Sequence, residues 1–129
     1  KFNFTCCLYA TAPFVTDLKL IKAYQLLQKR GCTSIFPVVE FSYPIQRSLR
    51  VENGTADYVF IEEKNSRSQD LDKRYHDVGQ FYFMETSIIQ NKGEIVGGNS
   101  GVFIVNELEV QDIDSETDWK IAELKYKLR

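Results

Sequence analysis

Two apolar runs flanking a capped amphipathic stretch constrain the fold of this chain more than any other feature. Phe2 to Ala10 is rich in aromatic and β-prone residues and reads as a buried strand. Thr11-Ala12-Pro13 breaks it. Thr16 is placed to cap a helix, with Asp17 in its first turn, and Leu18, Ile21, Ala23, Leu26 and Leu27 form an apolar stripe. Lys29-Arg30-Gly31 supplies the cations and the glycine that suit a helix end. Thr33 to Phe41 is a second apolar strand. Phe2 to Phe41 therefore predicts a βαβ unit with a right-handed parallel crossover.

The middle is different in kind. Gln46 to Val51 and Tyr58 to Ile61 flank an Asn53-Gly54 turn and predict a hairpin. A polar run from Glu62 to Asp77 follows, with few apolar residues to anchor it. Gln80 to Met84 reads as an aromatic strand, Thr86 to Gln90 as a short helix and Val102 to Val105 as another buried strand. Gly97 to Gly101 is glycine-rich but carries no Lys, and reads as a turn. Ser115 to Leu128 is the last helix, with Trp119, Ala122, Leu124 and Tyr126 expected to face inward in part. Residues 1–129 thus form a single α/β domain with an inserted hairpin arm over 44–77.

Composition narrows the function classes. Hydrophobic residues make up 43% of the 129, enough for a packed core, and the net charge of −2 gives no basic footprint for nucleic acid. No apolar run approaches the roughly 18 residues a membrane span needs. Three cysteines without CxxC spacing form neither a disulfide framework nor a metal knuckle, which points to a reducing cytoplasm. The adjacent Cys6 and Cys7 are expected in the core as small hydrophobes.

The chemistry concentrates in Gln111-Asp112-Ile113-Asp114-Ser115-Glu116-Thr117-Asp118-Trp119. In an extended segment alternate side chains share a face, about 6.5 to 7 Å apart. Asp112 and Asp114 then point the same way while Ile113 turns inward. Two convergent carboxylates suit Mg²⁺, which takes one or two protein carboxylates plus substrate phosphates. The same acids also suit a helix start, with Ser115 and Asp118 as a capping box. The two roles are compatible.

Cys6 to Phe14, Arg67-Ser68-Gln69-Asp70-Leu71 and Gln111-Asp112-Ile113-Asp114 occur in that order. Together they resemble the nonulosonate cytidylyltransferases, enzymes that activate sialic-acid-like sugars as CMP conjugates. Tyr75-His76-Asp77-Val78-Gly79-Gln80-Phe81-Tyr82 is most similar to the pseudaminic acid branch. The resemblance implies a Rossmann-like nucleotidyltransferase sheet, mixed but mainly parallel, with the hairpin as a dimerisation arm. It also implies CMP transfer from CTP to a pseudaminic or sialic acid with release of pyrophosphate, Mg²⁺ as cofactor, and a cytoplasmic homodimer. The alternative is a non-catalytic sugar-binding or dimerisation piece of the same fold.

Site residues follow from the same resemblance. Asp112 and Asp114 would hold Mg²⁺. Arg67 takes the first position of a segment the family writes Arg-Arg-Gln-Asp, and its guanidinium would match the sugar carboxylate; Ser68 replaces the second arginine. Tyr9 and Thr11 stand at a Gln-Pro-Thr-Ser-Pro-like turn ending a strand, where α/β sheets bind ligands. Gln69, Tyr75 and Gln80 offer amides and hydroxyls for sugar contacts, and His76 is expected in a surface role. The sequence opens on Lys1 within a strand-like run, which suggests the back part of a longer protein whose glycine- and cation-rich triphosphate loop lies upstream. The 129 residues alone are therefore expected to be inactive.

Overall fold

The computed structural model describes residues 2–91 and 93–128. The strands are β1 Phe4–Leu8, β2 Ser34–Glu40, β3 Leu49–Glu52, β4 Thr55–Tyr58, β5 Tyr75–Asp77, β6 Phe81–Glu85 and β7 Ser100–Ile104. The helices are α1 Asp17–Arg30, α2 Thr86–Gln90 and α3 Glu116–Lys127. The chain divides into two compact units, one holding the residues up to Val39 and from Asp77 onward, the other Glu40–His76. It is a mixed α/β protein.

In the larger unit β6 pairs antiparallel with β1, Phe4 facing Glu85 and Leu8 facing Phe81. It also pairs antiparallel with β2, Ser34 facing Met84. The last strand, β7, lies parallel to β2, Ser34 facing Ser100 and Val38 facing Ile104. The mainly parallel sheet expected from the sequence is thus corrected. Since β1 and β2 each run against β6, they run parallel to one another, as a strand–helix–strand unit should, but they are not neighbours. Local periodicity sets the direction of a strand; adjacency depends on a strand some forty residues further on.

Alternation along the strands separates two apolar layers. Phe81 and Phe83 of β6 and Ile35 of β2 pack with Ala23 and Leu27 of α1. Tyr82 and Met84 of β6 pack with Phe36 and Val38 of β2, backed by Ile88 of α2 and Ile95. A third cluster joins Val39, Val78 and Val105. Leu27, Ile35 and Phe81 are wholly buried.

Helix α1 begins and ends as its sequence requires. The Thr16 side chain accepts from the Lys19 N–H, and Gly31 takes the left-handed conformation at φ 63°, which a glycine adopts at no steric cost. The buried line is Lys19, Ala23 and Leu27, at i, i+4 and i+8. Leu18 and Ile21 are exposed, which corrects the apolar stripe. Lys19 enters the core because its ammonium donates to the Phe14 carbonyl at 2.9 Å and pairs with Glu109 at 2.9 Å.

Three further corrections concern burial. Cys6, Cys7 and Leu8 are exposed, so β1 is not a buried strand and the cysteine pair is not core. Val102 and Ile104 of β7 are exposed as well, while Gly101 is buried. In α3 only Ala122 is buried; Trp119, Leu124 and Tyr126 are each more than half exposed. The turn expected over Gly97 to Gly101 covers Gly97 to Asn99, with Ser100 and Gly101 already in β7. Its Gly97 N–H donates to the Ser100 hydroxyl at 2.8 Å, and the Asn99 amide donates to the Gly31 carbonyl at 3.1 Å.

Within Glu40–His76, β3 and β4 form a hairpin about the expected Asn53-Gly54 turn, Leu49 facing Tyr58 and Glu52 facing Thr55. Its arms are shorter and closer to the turn than Gln46 to Val51 and Tyr58 to Ile61, whose outer residues lie in 3-10 turns. Asn53 and Gly54 have φ of 51° and 80°, the positive pair that a type I′ turn demands. The unit's ends are tied by the Phe41 N–H to the Arg74 carbonyl at 3.0 Å and by Lys73 to Glu40 at 2.9 Å. That partner raises the Lys73 ammonium above its ordinary value, through the hydrogen bond first and then charge. Gln46, almost fully buried, donates its amide to the Asp72 carbonyl at 2.9 Å.

Candidate functional site

The segment before α3 commits Asp118 to capping and leaves Asp112 and Asp114 exposed. Ser115 has extended backbone, φ −138°, and its hydroxyl oxygen accepts from the Asp118 N–H while Asp118 answers the Ser115 N–H. Asp118 Oδ2 also accepts from the Ser115 hydroxyl at 2.6 Å and the Asp114 N–H at 3.3 Å. The Gln111 amide reaches Asp118 Oδ1 at 3.3 Å. Hydrogen bonding from Ser115 above all holds the Asp118 carboxyl below the usual carboxylate range.

Asp112 and Asp114 are exposed, and their carboxylates carry no hydrogen bond or ion pair among the described residues. Ile113 between them is half-buried and lines an apolar cavity of about 300 Å³ with Pro13, Trp119, Ala122 and Tyr126. Exposure alternates over Asp112, Ile113 and Asp114, in irregular chain after a short 3-10 turn at Glu107–Glu109 rather than at a strand end. No group of three or more His, Cys, Asp or Glu side chains is arranged to hold a metal among the described residues. A cation here would draw two carboxylates from the chain and its other ligands from substrate and water. That donor set fits Mg²⁺.

A second cluster lies where β1 ends and β6 begins. The Tyr9 N–H donates to the Gln80 carbonyl at 3.0 Å, and the Tyr9 ring packs on Tyr82 with centroids 5.6 Å apart. Gly79, at φ 59°, makes the turn into β6. Its N–H donates to Asp77 Oδ1 at 2.9 Å, and Tyr82 donates its hydroxyl to the other oxygen of the same carboxylate. Burial first, then hydrogen bonding to Asp77, pushes the Tyr82 phenol far above its ordinary value, so it remains a neutral donor. Gln80 is almost fully buried, its amide N–H donating to the Glu109 carbonyl at 2.7 Å while Oε1 has no partner among the described residues. Thr11 is exposed in the turn after Tyr9. The Asp77–Tyr82 pair is absent from the sequence-based candidates; its signal was Asp77-x-Gly79, an Asx turn placed five residues before a tyrosine.

Arg67, Gln69 and Tyr75 belong to the Glu40–His76 unit. Arg67 and Gln69 are exposed, and Tyr75 is 41% exposed. The Arg67 Nε pairs with Asp70 at 3.0 Å across the short 3-10 turn Ser68–Asp70. His76 is exposed with its ring 4.8 Å from that of Phe41, in keeping with a surface role. Cys6 keeps its thiol protonated more firmly than usual, because partial burial and then the neighbouring Cys7 raise it, which suits a bystander rather than a nucleophile.

No protein-family model matches the chain. Curated relatives do. The chain is 38% identical over 128 residues to "Pseudaminic acid cytidylyltransferase" of Campylobacter jejuni serotype O:23/36, covering 98% of this chain and 55% of that protein. It is 32% identical over 122 residues to a Helicobacter pylori protein named as pseudaminic acid cytidylyltransferase and UDP-2,4-diacetamido-2,4,6-trideoxy-beta-L-altropyranose hydrolase, covering 94% of this chain and 23% of that protein. It is 30% identical over 122 residues to "N-acylneuraminate cytidylyltransferase A" of Danio rerio, covering 92% and 28%. The class these matches share is a cytidylyltransferase acting on an acidic sugar. The chain is similar to nonulosonate cytidylyltransferases over nearly its whole length, and spans about half the length of the Campylobacter relatives it matches.

Proposed function

We propose that the full-length gene product transfers CMP from CTP to a pseudaminic or sialic acid. The anomeric hydroxyl oxygen forms a bond to the α-phosphorus and loses its proton, while the bond from that phosphorus to the β-phosphate bridging oxygen breaks and pyrophosphate leaves. In this reading the mixed sheet is part of a Rossmann-like nucleotidyltransferase sheet, and the Asp112–Asp114 segment serves the phosphates. The observation that carries the reading is the pair of exposed carboxylates without partners beside an Asp118 already occupied in capping.

Asp112 and Asp114 would hold Mg²⁺, which when bound neutralises phosphate charge and orients the triphosphate. Arg67 would offer the sugar carboxylate the guanidinium N–H groups that Asp70 does not occupy. Tyr9, with its ring fixed by Tyr82, and Thr11 would contact the sugar at the end of β1, and Gln69 and Tyr75 would add polar contacts. Gln80 would contribute through Oε1 alone, since its N–H is committed to Glu109.

Assembly is the second part of the proposal. Every residue of β3 and β4 is exposed, including Leu49, Val51 and Tyr58. A lone two-stranded ribbon is marginal in water, so a homodimer burying it is the expected state. No helix among the described residues is long and apolar enough to cross a membrane, and the three cysteines are free; both fit a cytoplasmic enzyme. The described residues contain no glycine- and cation-rich phosphate loop, the Gly97 to Gly101 turn being tied to Gly31 and Ser100. That favours the second reading for these 129 residues taken alone: a sugar-binding and dimerising piece without turnover.

The test supplies the full-length protein with CTP, Mg²⁺ and pseudaminic or N-acetylneuraminic acid and follows pyrophosphate. Stoichiometric CMP-sugar and pyrophosphate are expected. Absence of both products with either acid would refute the assignment.

A further inference from the structure

The short stretch from Val110 to Ser115 is tied to α3 at both of its ends. Its last residue enters the cap, where the Ser115 N–H donates to Asp118 Oδ2 at 2.9 Å. Its first is held from further along the helix: the half-buried Lys125 donates its ammonium to the Val110 carbonyl at 2.6 Å. Between them Gln111 gives its amide to Asp118 Oδ1 at 3.3 Å and to the Asp112 carbonyl at 3.1 Å. Ile113 shares its apolar cavity with Ala122.

Asp118, Ala122 and Lys125 stand at i, i+4 and i+7, so one stripe of α3 makes these contacts. The stripe runs about 10 Å along the helix, and the stretch 110–115 lies back along it. Upstream the same chain is fixed to the sheet. Gln80 donates to the Glu109 carbonyl at 2.7 Å, Lys19 pairs with the Glu109 carboxylate at 2.9 Å, and Val110 packs against Val39, Val78 and Val105. Asp112 and Asp114 thus project from chain that lies outside every strand and helix, yet is bound at both ends.

We propose that Lys125 is a positioning residue for these two carboxylates: by holding the Val110 carbonyl it keeps Asp112 and Asp114 preorganised for a divalent cation. The inference rests on the metal reading of that pair. In a strand, ladder hydrogen bonds keep neighbouring side chains in place. Here a charge-assisted bond to one carbonyl does so instead. Released at Val110, the stretch is left with the cap and the Gln111 amide, and Asp112, the acid farther from the cap, loses the most support. The sign of the effect separates bracing from charge. Deleting a cation near two carboxylates favours a divalent ion by Coulomb's law, whereas freeing the backbone weakens its binding.

The experiment titrates Mn²⁺, as a paramagnetic substitute for Mg²⁺, into the full-length protein and follows the free ion by electron paramagnetic resonance. Lys125→Met keeps the side chain's length without its donor, and Lys125→Arg restores a donor. Lys127→Met removes the same charge from the same last turn of α3, at an exposed side chain with no polar partner among the described residues. It controls for charge and for the helix dipole. Lys125→Met should weaken Mn²⁺ binding roughly 10-fold, while Lys125→Arg and Lys127→Met stay within about threefold of wild type. Unchanged or tighter binding in Lys125→Met overturns the proposal, as does equal weakening in Lys127→Met or a wild type that binds no Mn²⁺. Should Lys125→Met fail to fold, Lys125→Gln, polar but one bond shorter, decides it by the same titration. Asp112→Asn and Asp114→Asn separate the two levels of the argument. Weakening in these without weakening in Lys125→Met leaves the metal reading standing and removes the brace; unchanged binding in both removes the two together. A Mn²⁺ affinity that falls in all three supports the brace even if no CMP-sugar forms.

Discussion

Replacing Asp112 or Asp114 by Asn separates a metal site from a helix start, because the cap of α3 uses Asp118 and neither of these carboxylates. Asp118 takes hydrogen bonds from Ser115 and Asp114 and closes the cap of α3. Asp112 and Asp114 are exposed with no such partner. Removing a surface carboxylate that touches nothing shifts stability by no more than about 0.5 kcal/mol. The dipole of α3 adds a few tenths at most, since neither acid lies in its first turn. Ser115→Ala, by contrast, deletes the cap at a cost of about 1 kcal/mol, or roughly 4 °C in melting midpoint for a chain of this length. Turnover should follow the opposite order. A Mg²⁺ ligand supplies several kcal/mol of charge stabilisation, so losing about 3 kcal/mol slows pyrophosphate release roughly 100-fold. Melting by circular dichroism and Mg²⁺-dependent pyrophosphate release, on the same full-length samples, read the two orders side by side. The reasoning is refuted if Asp112→Asn and Asp114→Asn both turn over within about twofold of wild type, or if they melt as low as Ser115→Ala.

The depressed Asp118 carboxyl stabilises the fold above its unfolded value, near pH 4, and that contribution is lost as pH falls through the lower folded value. The stability gap between wild type and Asp118→Asn should therefore be full above about pH 5 and close on further acidification; a gap unchanged at about pH 3 would contradict the sign. Val51→Asp places a charge on the exposed ribbon and should convert a dimer to monomer in light scattering at tens of micromolar. A wild-type protein that is monomeric there removes the arm's proposed role. Leu27→Ala opens a hole beside Ile35 and Phe81 and should cost about 2–5 kcal/mol in urea unfolding, with a smaller loss locating the core elsewhere.

Much of the local structure is readable from residue pattern, because it is enforced within a few residues of each signal. Thr16 and Gly31 bound α1, Asn53-Gly54 turns the ribbon, and Ser115 with Asp118 opens α3. Each is a backbone requirement satisfied by a particular side chain. The errors are of another kind. Lys19 has no place in the inferred apolar stripe, yet it enters the buried line of α1, where it pairs with Glu109, ninety residues on. Assigning the lysine outward rotates the inferred stripe toward Leu18 and Ile21, which are in fact exposed. One distant carboxylate rephases a helix.

The same distinction runs through the site. The exposure of Asp112 and Asp114 on either side of the half-buried Ile113 is legible because period-two alternation needs only neighbouring residues. The Tyr9, Asp77, Gly79 and Tyr82 cluster needs β6 to lie against β1, and nothing within either strand announces that pairing. Once the strands are side by side, the Gly79 turn returns Asp77 toward the Tyr82 hydroxyl, and Tyr9 packs over the tyrosine so fixed. Arg47 illustrates a further step. Its neighbours in sequence mark only a turn, and what distinguishes it is a comparison available in the folded chain alone: among the described residues Arg67 has an acidic partner and Arg47 has none. A motif identifies the residues a family uses. Which cation is left free for a ligand depends on which carboxylates the fold has already occupied.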